Sequence, residues 1–139
     1  MYLNVHSYYS LRYGTQSIDQ LLQSAIENRI GAMALTDINT TMGIPEFVKK
    51  GNATGIKPIA GVEVRNGDKL LFIGIAKNNT GFKELNDYLT WHNLEKRAYN
   101  IDGWLFSQVV VIYPFGAKKP HELKDYEFTG IQPEQLNRL

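Results

Sequence analysis

Apolar and polar residues alternate through Tyr2-Leu3-Asn4-Val5-His6, the period of a short strand running into a polar loop. That loop extends from Ser7 to Thr15 and carries Tyr8, Tyr9 and Tyr13. The period then changes. Ile18, Leu21, Leu22, Ala25 and Ile26 recur at helical spacing and form one apolar face. Ser17 with Gln20 reads as a capping box, and Gly31 as the residue that ends the helix at C′. Ala32 to Leu35 is a short apolar run, a buried strand ending at Thr36-Asp37. Pro45 suits the first turn of a second helix, with Phe47 and Val48 facing inward. Ile56 to Val64 reads as a third strand. Asn66-Gly67 separates Val62–Arg65 from Lys69–Ala76, which predicts a hairpin with both turn residues at positive φ. Phe82, Leu85, Leu89 and His92 mark a helix from about Gly81 to Arg97. Gln108 to Tyr113 is β-branched and bounded by Pro114, another buried strand. Phe128 to Ile131 reads as a further strand, and Pro133 opens a terminal helix.

Strand and helix in alternation predict an α/β fold, a mostly parallel sheet or barrel with one β-hairpin. In such folds the working residues follow the C-terminal ends of strands. That rule selects His6, Asp37 and Glu63. Such side chains serve either as metal ligands or as hydrogen-bonding groups that fix loops, and spacing alone leaves both readings open. His92 falls on a helix face and His121 in a Lys-rich loop, so neither is aimed at the strand ends.

Composition narrows the function classes. The absence of cysteine excludes a disulfide scaffold, thiol catalysis and Cys-ligated zinc. A net charge of +1 excludes a surface that is basic throughout. Lys118, Lys119 and Lys124 cluster, but Glu122, Asp125 and Glu127 interleave with them, the pattern of a solvated face rather than a nucleic-acid contact. No signal sequence or membrane-length apolar run occurs, so a soluble cytoplasmic unit is expected.

Three ordered segments carry a resemblance. Tyr2-Leu-Asn-Val-His-Ser-Tyr-Tyr-Ser-Leu-Arg-Tyr-Gly14, Leu35-Thr-Asp-Ile-Asn-Thr-Thr-Met-Gly43 and Gly55-Ile-Lys-Pro-Ile-Ala-Gly-Val-Glu63 resemble the first three motifs of the polymerase and histidinol phosphatase (PHP) domain. The form is most similar to the PHP domain at the N-terminus of bacterial DNA polymerase III alpha subunits. Ile75-Ala-Lys-Asn-Asn-Thr-Gly-Phe-Lys-Glu-Leu85 extends the match. The resemblance implies a partial (β/α)7 barrel, with residues 1–139 as the N-terminal portion of the domain in a much longer polymerase chain.

Departures from the family pattern bear on function. Metal-binding members carry a His-x-His pair where this chain has Asn4 and His6, an Asp where it has Tyr13, and a His where it has Ile38. A further His is usual near Leu71. His6, Asp37 and Glu63 therefore remain as relic metal-site positions without partners, and the expectation is a region that binds no metal and catalyses nothing. The implied role is a structural and partner-docking module of a DNA-directed DNA polymerase. Its partners would be the remaining polymerase domains, a proofreading exonuclease subunit, and DNA through the parent chain; Mg²⁺ would serve the parent's nucleotidyl transfer. The alternative is a metal-dependent PHP phosphoesterase or 3′–5′ exonuclease. A half-barrel also predicts exposed strand edges. The uncharged, β-branched run Gln108–Tyr113 would be covered either by the chain's own tail over Phe115–Leu139 or, the favoured alternative, by a second copy in a homodimer.

Overall fold

Six strands form one sheet in the computed structural model, which describes residues 1–138. They are β1 (Tyr2–Val5), β2 (Ala32–Leu35), β3 (Lys57–Asn66), β4 (Lys69–Ala76), β5 (Val109–Pro114) and β6 (Glu127–Gly130), adjacent in that order. β1, β2 and β3 pair in parallel, β4 runs antiparallel to both β3 and β5, and β6 is parallel to β5. Five strands thus share a direction, and the hairpin supplies the one reversal. This is the expected α/β half-barrel with a mostly parallel sheet.

Three helices, α1 (Ile18–Glu27), α2 (Ile44–Thr54) and α3 (Asn79–Leu94), cover one face. Met33 and Leu35 of β2 pack with Leu22 and Ala25 of α1 and with Phe47 of α2. Val62, Val64, Phe72, Val109 and Val111 pack with Leu85, Tyr88 and Leu89 of α3. The alternate residues Ala34, Ile59, Ile73, Ile75, Val110 and Ile112 face the other way and meet one another across the strands. Glu63 pairs with Ile73 and shares that inner face.

The capping box forms as expected: Ser17 Oγ accepts from the Gln20 amide while Gln20 Oε1 accepts from the Ser17 amide. The far end of α1 differs. Arg29, not Gly31, takes the left-handed C′ position with φ 55°. The Ile30 amide bonds back to the Ala25 carbonyl, and Ile30 packs with the α1–α2 core. Moving C′ to Gly31 would forfeit that apolar closure, so Arg29 bears the strain.

The hairpin forms, one residue out of the expected register. Asn66 pairs with Lys69, so the two turn residues are Gly67 and Asp68. Of these only Gly67 has positive φ, 55°, as in a turn with glycine first. Asn66 is recruited elsewhere: its Nδ2 donates to the Tyr99 carbonyl at 2.7 Å, and its Oδ1 accepts from the Tyr99 amide at 2.9 Å. That side chain ties the loop after α3 to the strand end.

Three further expectations need adjustment. α3 ends at Leu94 rather than Arg97, with the Arg97 amide bonding back to the His92 carbonyl. The turn opened by Pro133 is a 3-10 helix over Pro133–Arg138. β5 is not an edge, because β6 pairs along it from Val111 to Pro114. β6 is pinned by Glu127, which accepts from Tyr113 Oη at 3.0 Å, Lys118 Nζ at 2.9 Å and the Lys124 amide at 3.0 Å. The chain's own tail thus covers this strand through β6, and the exposed-edge ground for a homodimer at β5 falls away.

Candidate functional site

Glu63 is fully buried at the end of the barrel where β1, β2 and β3 finish. Burying a lone carboxylate costs several kcal/mol, so its partners define what the site can do. Both oxygens are engaged. Asn4 Nδ2 donates to Oε2 at 2.9 Å, and His6 Nε2 lies 2.9 Å from the same oxygen. The Arg65 Nε–H donates to Oε1. Burial pushes the Glu63 carboxyl up, but His6, Arg65 and Asn4 together outweigh it and hold the group below the usual carboxylate range.

Each partner is placed by a strand. Asn4 and His6 stand two apart along the end of β1, and Glu63 and Arg65 two apart on β3, so each pair projects to one face. Thr36, just past the end of β2, ties β1 to β2. Its Oγ1 donates to Asn4 Oδ1 at 2.7 Å and accepts from the Val5 amide at 3.1 Å. Arg65 in turn lies under the Tyr13 ring, 4.7 Å from its centroid, and Tyr13 Oη donates to Asp68 Oδ1 at 2.6 Å. Tyr13, which stands where metal-binding members of the family pattern carry an aspartate, thus covers an arginine.

Asp37 is also buried, but it belongs to a different cluster. Its Oδ1 accepts from the Ser7 amide at 2.7 Å and from Ser10 Oγ at 2.6 Å, and its Oδ2 accepts from Ser7 Oγ at 2.7 Å. Ser10 Oγ also accepts from the Ile38 amide at 2.9 Å. The carboxylate organises the loop after β1 and leaves no oxygen free. Ile38 contributes backbone alone, as an isolated parallel bridge to Glu63.

The structure therefore brings His6 and Glu63 together and holds Asp37 apart from them. Among the described residues no group of three or more His, Cys, Asp and Glu side chains is gathered as a metal ion would need. Every buried side-chain polar atom there has a partner, so no oxygen is left waiting for an ion. The residues present do not fit the two- or three-metal cluster of the metal-binding pattern. Arg65, Ser7, Ser10 and Thr36 were not singled out from the sequence. Arg65 was accessible through the two-residue strand period that links it to Glu63; the serines were not, because their loop reaches Asp37 only in the fold. His92 is buried on α3, with Nδ1 2.9 Å from the Tyr88 carbonyl, and His121 is exposed in a short 3-10 turn.

Residues 3–110 match the family model for the PHP domain. The chain belongs to the PHP domain family. Two curated relatives are DNA polymerase III alpha subunits. That of Ureaplasma parvum serovar 3 is 39% identical over 89 residues, covering 64% of this chain and 9% of the relative. That of Staphylococcus aureus strain Mu50 is 30% identical over 118 residues, covering 81% of this chain and 11% of the relative. This PHP chain thus spans about a tenth of the length of those relatives. A solved structure from Bifidobacterium adolescentis, assigned as a metal-dependent phosphoesterase, superposes with a TM-score of 0.51 at 16% identity, over 67% of this chain and 33% of that one. At that identity the likeness speaks for the fold. No helix among the described residues is long and apolar enough to cross a membrane.

Proposed function

We propose that this PHP domain is the N-terminal region of a bacterial DNA polymerase III alpha subunit, and that it works there without metal as a structural and docking module. The observation that carries the reading is the occupation of both Glu63 oxygens by Asn4, His6 and Arg65. Arg65 supplies from within the chain the positive charge that a metal would bring, and Asp37 is spent on Ser7 and Ser10. What remains is a hydrogen-bonded plug across the strand ends, chemistry that rigidifies a loop and hydrolyses nothing. The relatives' name supports the polymerase context. This reading places the chain in the cytoplasm, with the rest of the polymerase chain and a proofreading exonuclease subunit as partners. DNA would then be engaged by the parent chain, where Mg²⁺ would serve nucleotidyl transfer.

The metal-dependent phosphoesterase or 3′–5′ exonuclease reading is tested by turnover. The purified chain, with Mg²⁺, Mn²⁺ or Zn²⁺ supplied, is expected to release neither phosphate from an aryl phosphate nor nucleotides from a 3′-labelled strand. Turnover abolished by EDTA and by His6→Ala would overturn the proposal.

A further inference from the structure

At the end of β3 away from Glu63 the sheet has a gap. β4 pairs with β3 only from Gly61 onward, and at Lys77 the chain leaves to bond with the Gln108 carbonyl. Residues 57–60 consequently pair with β2 on one side and face open space on the other. There a cleft of about 480 Å³ opens between α2 and α3. Its floor is apolar: Ile44, Val48, Pro58, Ala60 and Phe82.

The rim is positive. Lys57 and Lys77 are both exposed and line the cleft, and no carboxylate does. Glu46, on the turn of α2 beside it, is already paired with Lys50 at 2.7 Å. The N-terminus of α3 adds to the field. Asn78 caps only the Gly81 amide at 3.0 Å, and the first turn of this 16-residue helix carries no acidic residue. An apolar floor under a cationic rim selects a ligand with an apolar anchor flanked by carboxylates.

The open strand edge does not invite a strand. The Lys57 amide points to β2, where it donates to the Gly31 carbonyl, so by alternation Pro58 turns its backbone to the gap. Proline has no N–H to offer, so Ala60 alone of residues 57–60 can donate into the gap, which weakens strand addition. Recognition therefore runs chiefly through a side-chain anchor and the lysines.

We propose that this cleft docks an acidic linear peptide of a partner protein, inserting one aromatic or branched aliphatic side chain between α2 and α3 with its carboxylates on Lys57 and Lys77. The site lies at the opposite end of β3 from the plugged strand ends, so it stands whether or not those bind metal. The test uses the 139-residue chain and a labelled hexapeptide, Asp-Glu-Phe-Asp-Leu-Glu, read by fluorescence anisotropy and by amide shifts. Binding that weakens with salt, with shifts at residues 44–48, 57–60 and 77–82, is expected. The exposed pair Lys57→Glu with Lys77→Glu, checked for unchanged circular dichroism, should lose affinity by about tenfold or more. The proposal is overturned by equal binding of the neutral hexapeptide Asn-Gln-Phe-Asn-Leu-Gln, by shifts elsewhere, or by an unaffected double variant. It is overturned equally if the peptide fails to bind, and occupation of the cleft by an oligonucleotide of like charge would make it a nucleic-acid site instead.

Discussion

Arg65 stands two residues beyond Glu63 on β3, and its guanidinium donates to the carboxylate that its own strand presents. A strand's alternation keeps such a pair on one face whatever the loops do, so the cation comes with the carboxylate. Tyr13 closes over the arginine, and Asp68 holds Tyr13 from the hairpin tip. The strand ends are thereby sealed by side chains of β1, β3 and the turn.

Glu63→Gln removes the charge but keeps the shape. Arg65 is then left mostly buried without its counter-charge, which should cost about 2–4 kcal/mol in chemical denaturation. A loss under about 1 kcal/mol would mean the pair is solvated and contributes little.

The same carboxylate gives stability a pH dependence of known sign. Its folded-state pKa is depressed, so its contribution is complete above the unfolded value of about 4.3 and is lost as pH falls through the lower folded value. Stability measured from pH 6 down to 3 should therefore fall, and Glu63→Gln should flatten the slope. Glu84 and Glu127, also held low, preserve part of it. An unchanged slope in the variant would contradict the assignment.

Much of the framework was legible because it rests on local chemistry. Ser17 and Gln20 cap α1, Pro45 enters α2, and the β-branched run forms β5, each from residues close in sequence. The misplaced turn has a non-local cause, since Asn66 is claimed by the Tyr99 backbone 33 residues away. Arg29 likewise takes the strained position because Ile30 has a core to join. At the strand ends, the candidates were found but their division into two clusters was not. Only the folded loop shows that Ser7 and Ser10 claim Asp37.

Asp37→Ala should strand the Ser7 amide and two hydroxyls without an acceptor in a buried site. A loss of about 3 kcal/mol is expected, with hydrogen exchange accelerated in residues 7–14 before the sheet. Uniform acceleration across β2 and β3 instead would show that the carboxylate supports the whole sheet rather than the loop.

Gly14 is required for close approach. A Cβ there would lie 1.8 Å from the Ser7 carbonyl oxygen, so Gly14→Ala must open the loop that brings Ser7 and Ser10 to Asp37. The melting temperature should drop, and the loss should be less than additive with Asp37→Ala because both disrupt one loop. Full additivity would separate the two.

Gly67→Val should cost more than about 1 kcal/mol, since a β-branched residue at φ 55° is strained. Asp68→Gly should be milder, as Asp68 does not occupy the left-handed region. The opposite ranking would return the turn to the Asn66-Gly67 register.

The charge at Glu63 is most directly probed by titrating the isotope-labelled chain with Mn²⁺ and following paramagnetic broadening of its amides. With Arg65, Asn4 and His6 on both oxygens, no saturable broadening centred on His6, Asp37 and Glu63 is expected at equimolar metal. Saturable broadening of those three residues, lost in His6→Ala, would contradict the assignment and make the strand ends a metal site.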